Sequence, residues 1–348
     1  MSTGLLRSLA RRLQRYHSPS LQPHSLARQA ARAEIDEGLQ LARSELGWLQ
    51  DGARQTVEEG DVSSSASKLS QHERKRSISR RLVELVRRRV NDHEPVAYLL
   101  GCQPFGPLDL ATRPPTLIPR PETEEWALRL ASMVTKMLQR HEDGGPLRLL
   151  DLCSGSGCIG LLLAHQARRC HTALQVTCAD VSPQALNLMR ENVRRNGLSD
   201  ASIAMMQADV FTSADMQHLV EDGGPFDVIV CNPPYITVKE YDEELDESVR
   251  AWEDRRALVG NATNGIDDGL VFYRRLAELL PFLTGRASIG SPSPRLPLIV
   301  VEVGKGQAPA VRDIFASSPL VARCETWTDA WDVERVVLAY PHVIPPSK

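Results

Sequence analysis

The chain lacks any apolar run long enough to cross a bilayer. The run Ile159–Ala164 is far shorter than the about 20 apolar residues that a membrane helix needs. Hydrophobic residues make up 42% of the 348 residues and charged residues 24%, a composition that predicts a folded protein with a sizeable core. This length favours one large domain and one smaller domain. Since no apolar run is long enough to span a bilayer, we expect no association with a membrane.

Paired cysteines are also missing. None of the seven cysteines belongs to a Cys-x-x-Cys pair, and no histidine pair stands beside them at ligand spacing. We therefore expect no metal site. Most of these cysteines are interpreted as reduced thiols that fill core space, which fits a reducing compartment such as the cytosol or the mitochondrial matrix.

The chain has no excess of positive charge. The formal net charge is −3, which argues against bulk affinity for nucleic acid, so a direct nucleic-acid substrate is not expected. A basic helix is predicted at about Ile78 to Val90. Its arginines lie mainly off the apolar stripe, and we interpret them as a solvated face, with a docking surface for an acidic partner or RNA as the alternative.

Acidic residues are absent from residues 1–33. This segment carries six arginines interleaved with leucines and serines, which is the composition of a mitochondrial targeting segment. The alternative is an ordinary basic N-terminal helix. The targeting interpretation places the protein in the mitochondrial matrix, and the alternative places it in the cytoplasm.

The order of elements predicts two domains. Helices are expected at 26–50 and 78–90, with a flexible polar connection at 51–72. From residue 147 the pattern alternates between strand and helix. The expected strands are Leu147–Leu152, Leu174–Ala179, Ser202–Met206, Phe226–Cys231 and Leu298–Val303. Such alternation predicts an α/β fold with a mostly parallel sheet covered on both faces. The stretch Gly285–Pro297 is rich in Gly, Ser and Pro, and it predicts a surface loop.

A glycine-rich loop follows the first of these strands. Asp151 is followed by Leu152, Cys153, Ser154, Gly155, Ser156 and Gly157, and then by a helix. The glycines allow a ligand to approach the backbone, and the free N–H groups at the start of a helix favour an anionic ligand group. Asp180 ends the next strand, where a carboxylate can accept hydrogen bonds from both ribose hydroxyls. NAD and S-adenosylmethionine would fit equally well.

Asn232, Pro233, Pro234 and Tyr235 follow the strand that ends at Cys231. Polar groups at the carboxyl end of a strand lie where doubly wound sheets bind ligands. The Asn232 side-chain oxygen and the Pro233 carbonyl can accept the two hydrogens of a planar NH₂ group, while the Tyr235 ring offers a flat face. Catalysis would then come from orientation and electrostatics.

These residues resemble those of a known family. Asn232–Tyr235 resembles the signature of methyltransferases that act on exocyclic amines and amides. Several further segments resemble signatures of the HemK/PrmC protein-glutamine N5-methyltransferases: Glu94–Gly101, Leu117–Glu124, Ala257–Gly260, Asp268–Leu270, Val301–Gly304 and Glu334–Val337. The resemblance covers about residues 80–340.

The resemblance implies a seven-stranded Rossmann-like class I methyltransferase sheet whose last strand is antiparallel, with a small N-terminal helical domain. We therefore expect a helical substrate-binding domain and connector at 34–110 and an S-adenosylmethionine-dependent methyltransferase domain at 111–348. The implied substrate is the glutamine of the Gly-Gly-Gln loop in a class I peptide chain release factor.

By the same resemblance, the loop from Cys153 to Gly157 holds the methionine part of the cofactor and Asp180 holds the ribose. Asp209 and Val210 lie near the adenine, and Asn232–Tyr235 hold the glutamine amide, with Asn232 also bordering the cofactor.

The sequence departs from the family at three places. Cys153 stands where glycine is usual, Glu253-Asp254 replaces a common Glu-Pro, and Glu240–Glu247 is unusually acidic. That acidic run is interpreted as a solvated loop, with attraction to a basic substrate surface as the alternative.

Four other functions remain open. A sister family methylates a ribosomal-protein glutamine, but it resembles Arg-Ser-Pro where this chain has Arg120-Pro121-Glu122. Methylation of a nucleic-acid base would be expected to need a target-recognition domain or a broad basic surface. An NAD oxidoreductase leaves Asn232–Tyr235 unexplained. A non-catalytic scaffold is disfavoured by the intact motifs.

Overall fold

The computed structural model describes residues 9–13, 28–63, 69–139, 146–198, 202–260, 266–285 and 296–342. Contacts divide the chain into two compact units. The first comprises residues 1–101 together with Glu247–Trp252, and the second comprises 102–246 and 253–348. Within the described residues, no helix combines the length and the hydropathy that crossing a bilayer requires.

The first unit is helical. Its main helices are α1 (Arg28–Ser63), α2 (Gln71–Asn91) and α3 (Val96–Leu100). Ser70 begins α2 with a capping box, in which its hydroxyl accepts from the Glu73 N–H while the Glu73 carboxylate accepts from the Ser70 N–H. Such a cap supplies partners that the first turn of a helix otherwise lacks.

The core of the helical unit is formed by leucines of α1 and α2, joined by two leucines from the N-terminal segment. Leu9 and Leu13 are buried against Leu46, Leu49 and Leu82. The rest of the predicted targeting segment before Arg28 lies outside the described residues. The flexible connection expected at 51–72 is wrong at both ends, because α1 continues to Ser63 and α2 begins at Gln71. Residues 64–68 lie outside the described residues.

The second unit contains a seven-stranded sheet. In chain order its strands are β3 (Leu147–Leu152), β4 (Leu174–Asp180), β5 (Ile203–Gln207), β6 (Val228–Cys231), β7 (Ile299–Glu302), β8 (Val321–Thr328) and β9 (Glu334–Pro341). Across the sheet the order is β5-β4-β3-β6-β7-β9-β8. Neighbours from β5 to β7 are parallel, and β9 runs antiparallel to β7 and to β8. The expected α/β fold class and its antiparallel last strand are confirmed.

The main helices of the second unit cover the sheet with two apolar cores. Their bounds are α4 (Pro121–Leu138), α5 (Cys158–Arg169), α6 (Pro183–Arg195), α7 (Ser213–Gly223), α11 (Val271–Leu283) and α12 (Ala308–Ala316). Short helices α8 (Val238–Glu243) and α10 (Arg255–Leu258) belong to this unit, and α9 (Glu247–Trp252) belongs to the first. Two clusters of buried residues fill the space between sheet and helices. Most of the predicted loop 285–297 lies outside the described residues.

The boundary between the units falls at Gly101, earlier than the boundary at 110 that the sequence predicts. The hairpin of β1 (Cys102–Phe105) and β2 (Leu108–Ala111) belongs to the second unit. The Ala111 N–H donates to the buried Asn192 Oδ1 at 2.6 Å. Phe105 and Leu108 belong to one of the apolar cores of the sheet.

Candidate active site

The glycine-rich loop lies between β3 and α5, at the carboxyl end of the first parallel strand. Gly155 and Gly157 have φ angles of 54° and 82°, which lie in the region that glycine adopts without penalty. Nothing lies within 4 Å of the position that a Cβ would take on Gly155. A Cβ on Gly157 would meet Met189 at 2.7 Å. Gly155 therefore presents bare backbone to the space above it, whereas Gly157 is required by packing.

Cys153 also has a left-handed backbone, with a φ angle of 56°. For a residue with a Cβ this conformation costs about 1–2 kcal/mol. The position is the one at which the resembling family usually has glycine. Glycine adopts this conformation without such a cost, so the cysteine is accommodated here with local strain.

Asp180 ends β4 directly beside this loop. Its Oδ2 accepts from the Gly155 N–H and its Oδ1 from the Ser182 N–H, both at 2.8 Å. Burial raises the pKa of this carboxyl above its ordinary value, while the two backbone N–H groups act in the opposite direction. Ser182, not Asp180, caps α6 by accepting from the Ala185 N–H. The lone pairs that remain on Asp180 can accept from hydroxyl groups of a ligand.

A partly open cleft lies above the loop. It brings together seven of the predicted site residues: Cys153, Gly155, Asp180, Asp209, Val210, Asn232 and Pro234. The other predicted residues do not line it. Ser154 and Ser156 are buried, with the Ser154 hydroxyl donating to the Ala179 carbonyl oxygen at 3.1 Å.

Asp151 lies beneath the loop and is completely buried. Its Oδ2 accepts from the Gly160 N–H at 2.8 Å, and its Oδ1 has no hydrogen-bond partner among the described residues. Burial raises the pKa of this carboxyl to about 7, against the effect of the Gly160 hydrogen bond. Asp151 therefore supports the loop from below and does not face the cleft.

One wall of the cleft is aromatic and was not predicted. Phe272, at the start of α11, lines the cleft. It packs edge-on against Phe211, with ring centroids 4.9 Å apart and an interplanar angle of 74°. The Arg275 Nε donates to the Val210 carbonyl oxygen at 3.0 Å and fixes this part of the wall. The adjoining signature Asp268–Leu270 was recognised in the sequence, but it carried no sign that the next residues reach the cleft.

A second part of the cleft wall is formed by two further segments of the chain. Thr116 and Leu117 line the cleft beside Asp254 and Arg256. The Asp254 N–H donates to the Pro115 carbonyl oxygen at 2.7 Å, a bond that the proline usual at this position could not form. The Asp254 side chain accepts from the N–H and the guanidinium of Arg256. Asp254, in place of the usual proline, thus adds a hydrogen bond between the two segments of this wall.

Buried Glu253 holds the same segments from behind. Arg120 donates to both of its carboxylate oxygens at 2.8 Å, a charge-assisted contact that keeps a buried carboxylate paired. Burial raises the Glu253 pKa, and Arg120 acts against that rise. The neighbouring residues of the segments 115–124 and 253–257 are therefore linked in space, although the sequence separates them widely.

Asn232 enters the cleft from the end of β6. Its Nδ2 donates to the Thr123 hydroxyl at 3.2 Å. Pro234 also lines the cleft, while Pro233 is buried. Tyr235 does not line the cleft; its hydroxyl lies 3.4 Å from Glu302 Oε1, and its carbonyl oxygen accepts from Gln307 Nε2 at 2.9 Å. The predicted stacking face of Tyr235 stays a prediction.

Comparisons with known proteins match the chain to a family and to curated relatives. The family described as Methyltransferase small domain matches residues 131–251. The mitochondrial MRF1 N(5)-glutamine methyltransferase MTQ1 of Saccharomyces cerevisiae is 37% identical over 169 residues, which are 48% of this chain and 50% of the yeast protein.

Two other relatives are matched over more of their length. The probable MRF1 mitochondrial N(5)-glutamine methyltransferase mtq1 of Schizosaccharomyces pombe is 32% identical over 76% of this chain and 80% of its own. The release factor glutamine methyltransferase of Chlamydia trachomatis serovar L2 is 32% identical over 68% of this chain and 69% of its own.

Proposed function

Since the chain belongs to the release factor glutamine methyltransferase family, we propose that it methylates the glutamine of a class I peptide chain release factor. The methyl group goes from S-adenosylmethionine to the side-chain amide nitrogen, N5, of the glutamine in the Gly-Gly-Gln loop. The observation that carries this proposal is one cleft that contains both the Asp180 carboxylate and the Asn232 side chain. The residues that we propose for a ribose and for a planar amide therefore line the same cleft.

The residues around the cleft fit S-adenosylmethionine. The open space above Gly155 admits a ligand to the backbone, and Asp180 retains lone pairs for ribose hydroxyls. Phe272 and Val210 supply apolar surface suited to the faces of an adenine ring. Bound S-adenosylmethionine supplies a methyl group on a positively charged sulfur, which is the electrophile of the reaction.

The protein's own contribution is to orient the amide. An amide nitrogen is a weak nucleophile because its lone pair is delocalised. In our proposal the Asn232 Oδ1 accepts one N–H bond of the glutamine. The carbonyl oxygen of Pro233, which is buried here next to Asn232, accepts the other when the substrate binds, and the two bonds aim the lone pair at the methyl group. Preorganised acceptors and fixed geometry act mainly on the transition state, so no strong base is needed.

Among class I release factors, we propose a mitochondrial one as the substrate. The acid-free, arginine-rich residues 1–33 support a mitochondrial location, and two relatives are named as mitochondrial MRF1 methyltransferases. We do not expect a nucleic-acid substrate, because the net charge is −3 and proteins that act on nucleic acids usually present a basic surface.

The direct test is mass spectrometry of a purified mitochondrial class I release factor after incubation with the full chain and isotopically labelled S-adenosylmethionine. We expect one labelled methyl group on the glutamine of the Gly-Gly-Gln loop. Replacing that glutamine with asparagine should abolish the label. A release factor that stays unlabelled, or NAD binding tighter than S-adenosylmethionine binding by calorimetry, would overturn the proposal.

A further inference from the structure

Behind the cleft, four side chains form a chain of hydrogen bonds that ends at Asn232. Thr123 and Trp126, on the first turns of α4, both donate to Oε2 of Glu302, at 2.6 and 2.8 Å. Asn232 Nδ2 donates to the Thr123 hydroxyl at 3.2 Å. Thr123, Trp126 and Glu302 are each no more than 3% exposed.

The direction of every bond in this chain is fixed by the chemistry of its members. An indole N–H can only donate, so Glu302 Oε2 is an acceptor. The Thr123 hydroxyl has one proton and gives it to the same oxygen, at 2.6 Å. A protonated Glu302 favours the same arrangement, because the carbonyl oxygen of an acid is its better acceptor. Oε2 takes both the indole N–H and the Thr123 hydroxyl, which places the acid proton on Oε1, facing the Tyr235 hydroxyl.

Because the hydroxyl proton of Thr123 is committed, its oxygen can only accept from Asn232. The group that faces Thr123 must therefore be the NH₂ of Asn232 and not its carbonyl oxygen. Asn232 is half-buried and lines the cleft. Its Oδ1 is the polar atom that this arrangement leaves to the cleft.

We propose that Glu302 and Thr123 are positioning residues that set the orientation of the Asn232 amide, so that its oxygen meets the N–H of the substrate amide. The proposal rests on the proposed function, since it concerns the same substrate amide. The two orientations of an asparagine amide have nearly the same shape, so packing alone distinguishes them poorly. In the flipped orientation an N–H would face the substrate N–H, and both donors would lose their partners.

This assignment also explains why two of the sequence segments recognised as family signatures act together. Thr123 belongs to the segment Leu117–Glu124 and Glu302 to the segment Val301–Gly304. Neither residue lines the cleft, so neither touches the substrate in this scheme. Glu302 reaches Asn232 only through the Thr123 hydroxyl.

The test compares Thr123→Val, Thr123→Ser and Thr135→Val in the full chain. Valine keeps the shape of threonine but cannot accept from Asn232, and serine keeps the hydroxyl. Thr135 is the matched control, because it is a buried threonine of the same helix whose hydroxyl donates to the Ala131 carbonyl oxygen, away from the cleft. The measurements are kcat and KM for a release factor with an intact Gly-Gly-Gln loop, and the Kd of S-adenosylhomocysteine.

We expect Thr123→Val to lower kcat about tenfold, the effect of one hydrogen bond of about 1.4 kcal/mol. KM and cofactor affinity should change little, because the loss falls on the transition state. Thr123→Ser and Thr135→Val should retain nearly the wild-type kcat. A similar kcat loss in both valine variants would mean that buried threonines support only the fold, and it would overturn the proposal.

A double variant tests whether Thr123 acts through Asn232. Asn232→Ala should lower kcat by about 10²–10³-fold, the scale for one preorganised polar group. If Thr123 only orients Asn232, adding Thr123→Val to Asn232→Ala should cause no further loss. Losses that multiply would overturn the proposal. A wild-type enzyme that leaves the release factor unmethylated would contradict the proposed function itself, which keeps the two failures distinct.

Glu302→Gln provides an independent variant if Thr123→Val does not fold. Glutamine can keep an acceptor oxygen toward Thr123 and Trp126 and direct its NH₂ to the Tyr235 hydroxyl. We therefore expect kcat within about threefold of the wild type, since the bond directions persist. A loss as large as that of Asn232→Ala would overturn the proposal, because the charge of Glu302, and not its role as acceptor, would then be what matters.

Discussion

Asp151 is a carboxyl group buried completely beneath the cofactor loop. One of its oxygens accepts from the Gly160 N–H, and the other has no partner among the described residues. Burial raises its pKa to about 7, because the charged form loses its hydration. Space beside it is also limited, since a Cβ on Gly160 would meet Asp151 Oδ2 at 2.9 Å and Cys178 Sγ at 2.6 Å. The loop is thus built over a carboxyl group that holds its proton close to neutral pH.

This protonation makes stability depend on pH. In the unfolded chain Asp151 titrates near its ordinary value of 3.8, whereas in the folded protein it titrates at about 7. Between these values the folded state holds the extra proton, so the contribution of Asp151 to stability falls as pH rises through this window. The slope is about 1.4 kcal/mol of unfolding free energy per pH unit at most.

Asp151→Asn mimics the protonated acid at every pH. The stability of the variant relative to the wild type should therefore increase between pH 5 and 7 and level off above about pH 8. The measurement is urea unfolding of both proteins without cofactor at several pH values. A difference that does not change with pH would contradict the buried, proton-holding state of Asp151.

At the scale of elements, the loop Asn232–Tyr235 is held from behind by two other loops. Gln307 donates from Nε2 to the Tyr235 carbonyl oxygen and accepts at Oε1 from the Gly304 N–H, both at 2.9 Å. Beyond Tyr235, the chain pairs with the end of α10, where Ile236 N–H donates to the Leu258 carbonyl oxygen at 2.9 Å. These two segments therefore fix where the loop places Asn232.

Gly269 lies at the closest approach of these loops. It has a φ angle of 67°, and an added Cβ would lie 2.2 Å from the Tyr235 carbonyl oxygen and 2.6 Å from Gln307 Nε2. Gly306 offers a matched control, since its φ angle is 83° but nothing lies within 4 Å of its Cβ position. Both substitutions with alanine impose the same kind of backbone strain, and only one adds a collision.

We expect Gly306→Ala to cost about 1 kcal/mol of unfolding free energy and Gly269→Ala about 3 kcal/mol. Gly269→Ala should also lower methyl transfer, because the collision displaces the backbone next to Asn232. Urea midpoints and methyl-transfer rates check both expectations. Equal effects of the two alanines would show that the loops do not press on one another at Gly269.

At the scale of the whole molecule, the N-terminal segment has two properties at once. Residues 1–33 have the charge pattern of a targeting segment, while Leu9 and Leu13 are buried in the core of the helical unit. Import requires an extended chain, whereas these contacts form on folding. The two properties are compatible because targeting acts on the unfolded chain, whereas Leu9 and Leu13 become buried only when the chain folds.

A reporter protein fused to residues 1–33 should enter mitochondria, because the segment carries six arginines and no acidic residue. The matched control replaces the six arginines with glutamine, which keeps length and polarity but removes the positive charge. This control should remain in the cytosol. Fluorescence microscopy with a mitochondrial marker decides the outcome, and a cytosolic reporter from the native segment would contradict the proposed location.

Local patterns in the sequence were sufficient for the fold class and for part of the site. Strand and helix periodicity depends on near neighbours, so β3 to β7 were expected close to their bounds. The carboxyl ends of parallel strands share one edge of a sheet, so Asp180 and Asn232 were expected near the same site and do line one cleft. The helical extent of residues 51–63 was missed, because their polar, acidic composition shows no apolar stripe.

Only the tertiary structure decided which residues act together. Thr123 lies 109 positions from Asn232 and 179 from Glu302, and Phe272 reaches the cleft from α11. No local period encodes such pairs, because they depend on the order of strands in the sheet and on how the loops at its edge fold over one another. The sequence by itself determined the groups available for chemistry. Long-range packing determined that Asn232 is held by Thr123, which is itself held by Glu302, and therefore which way its amide faces.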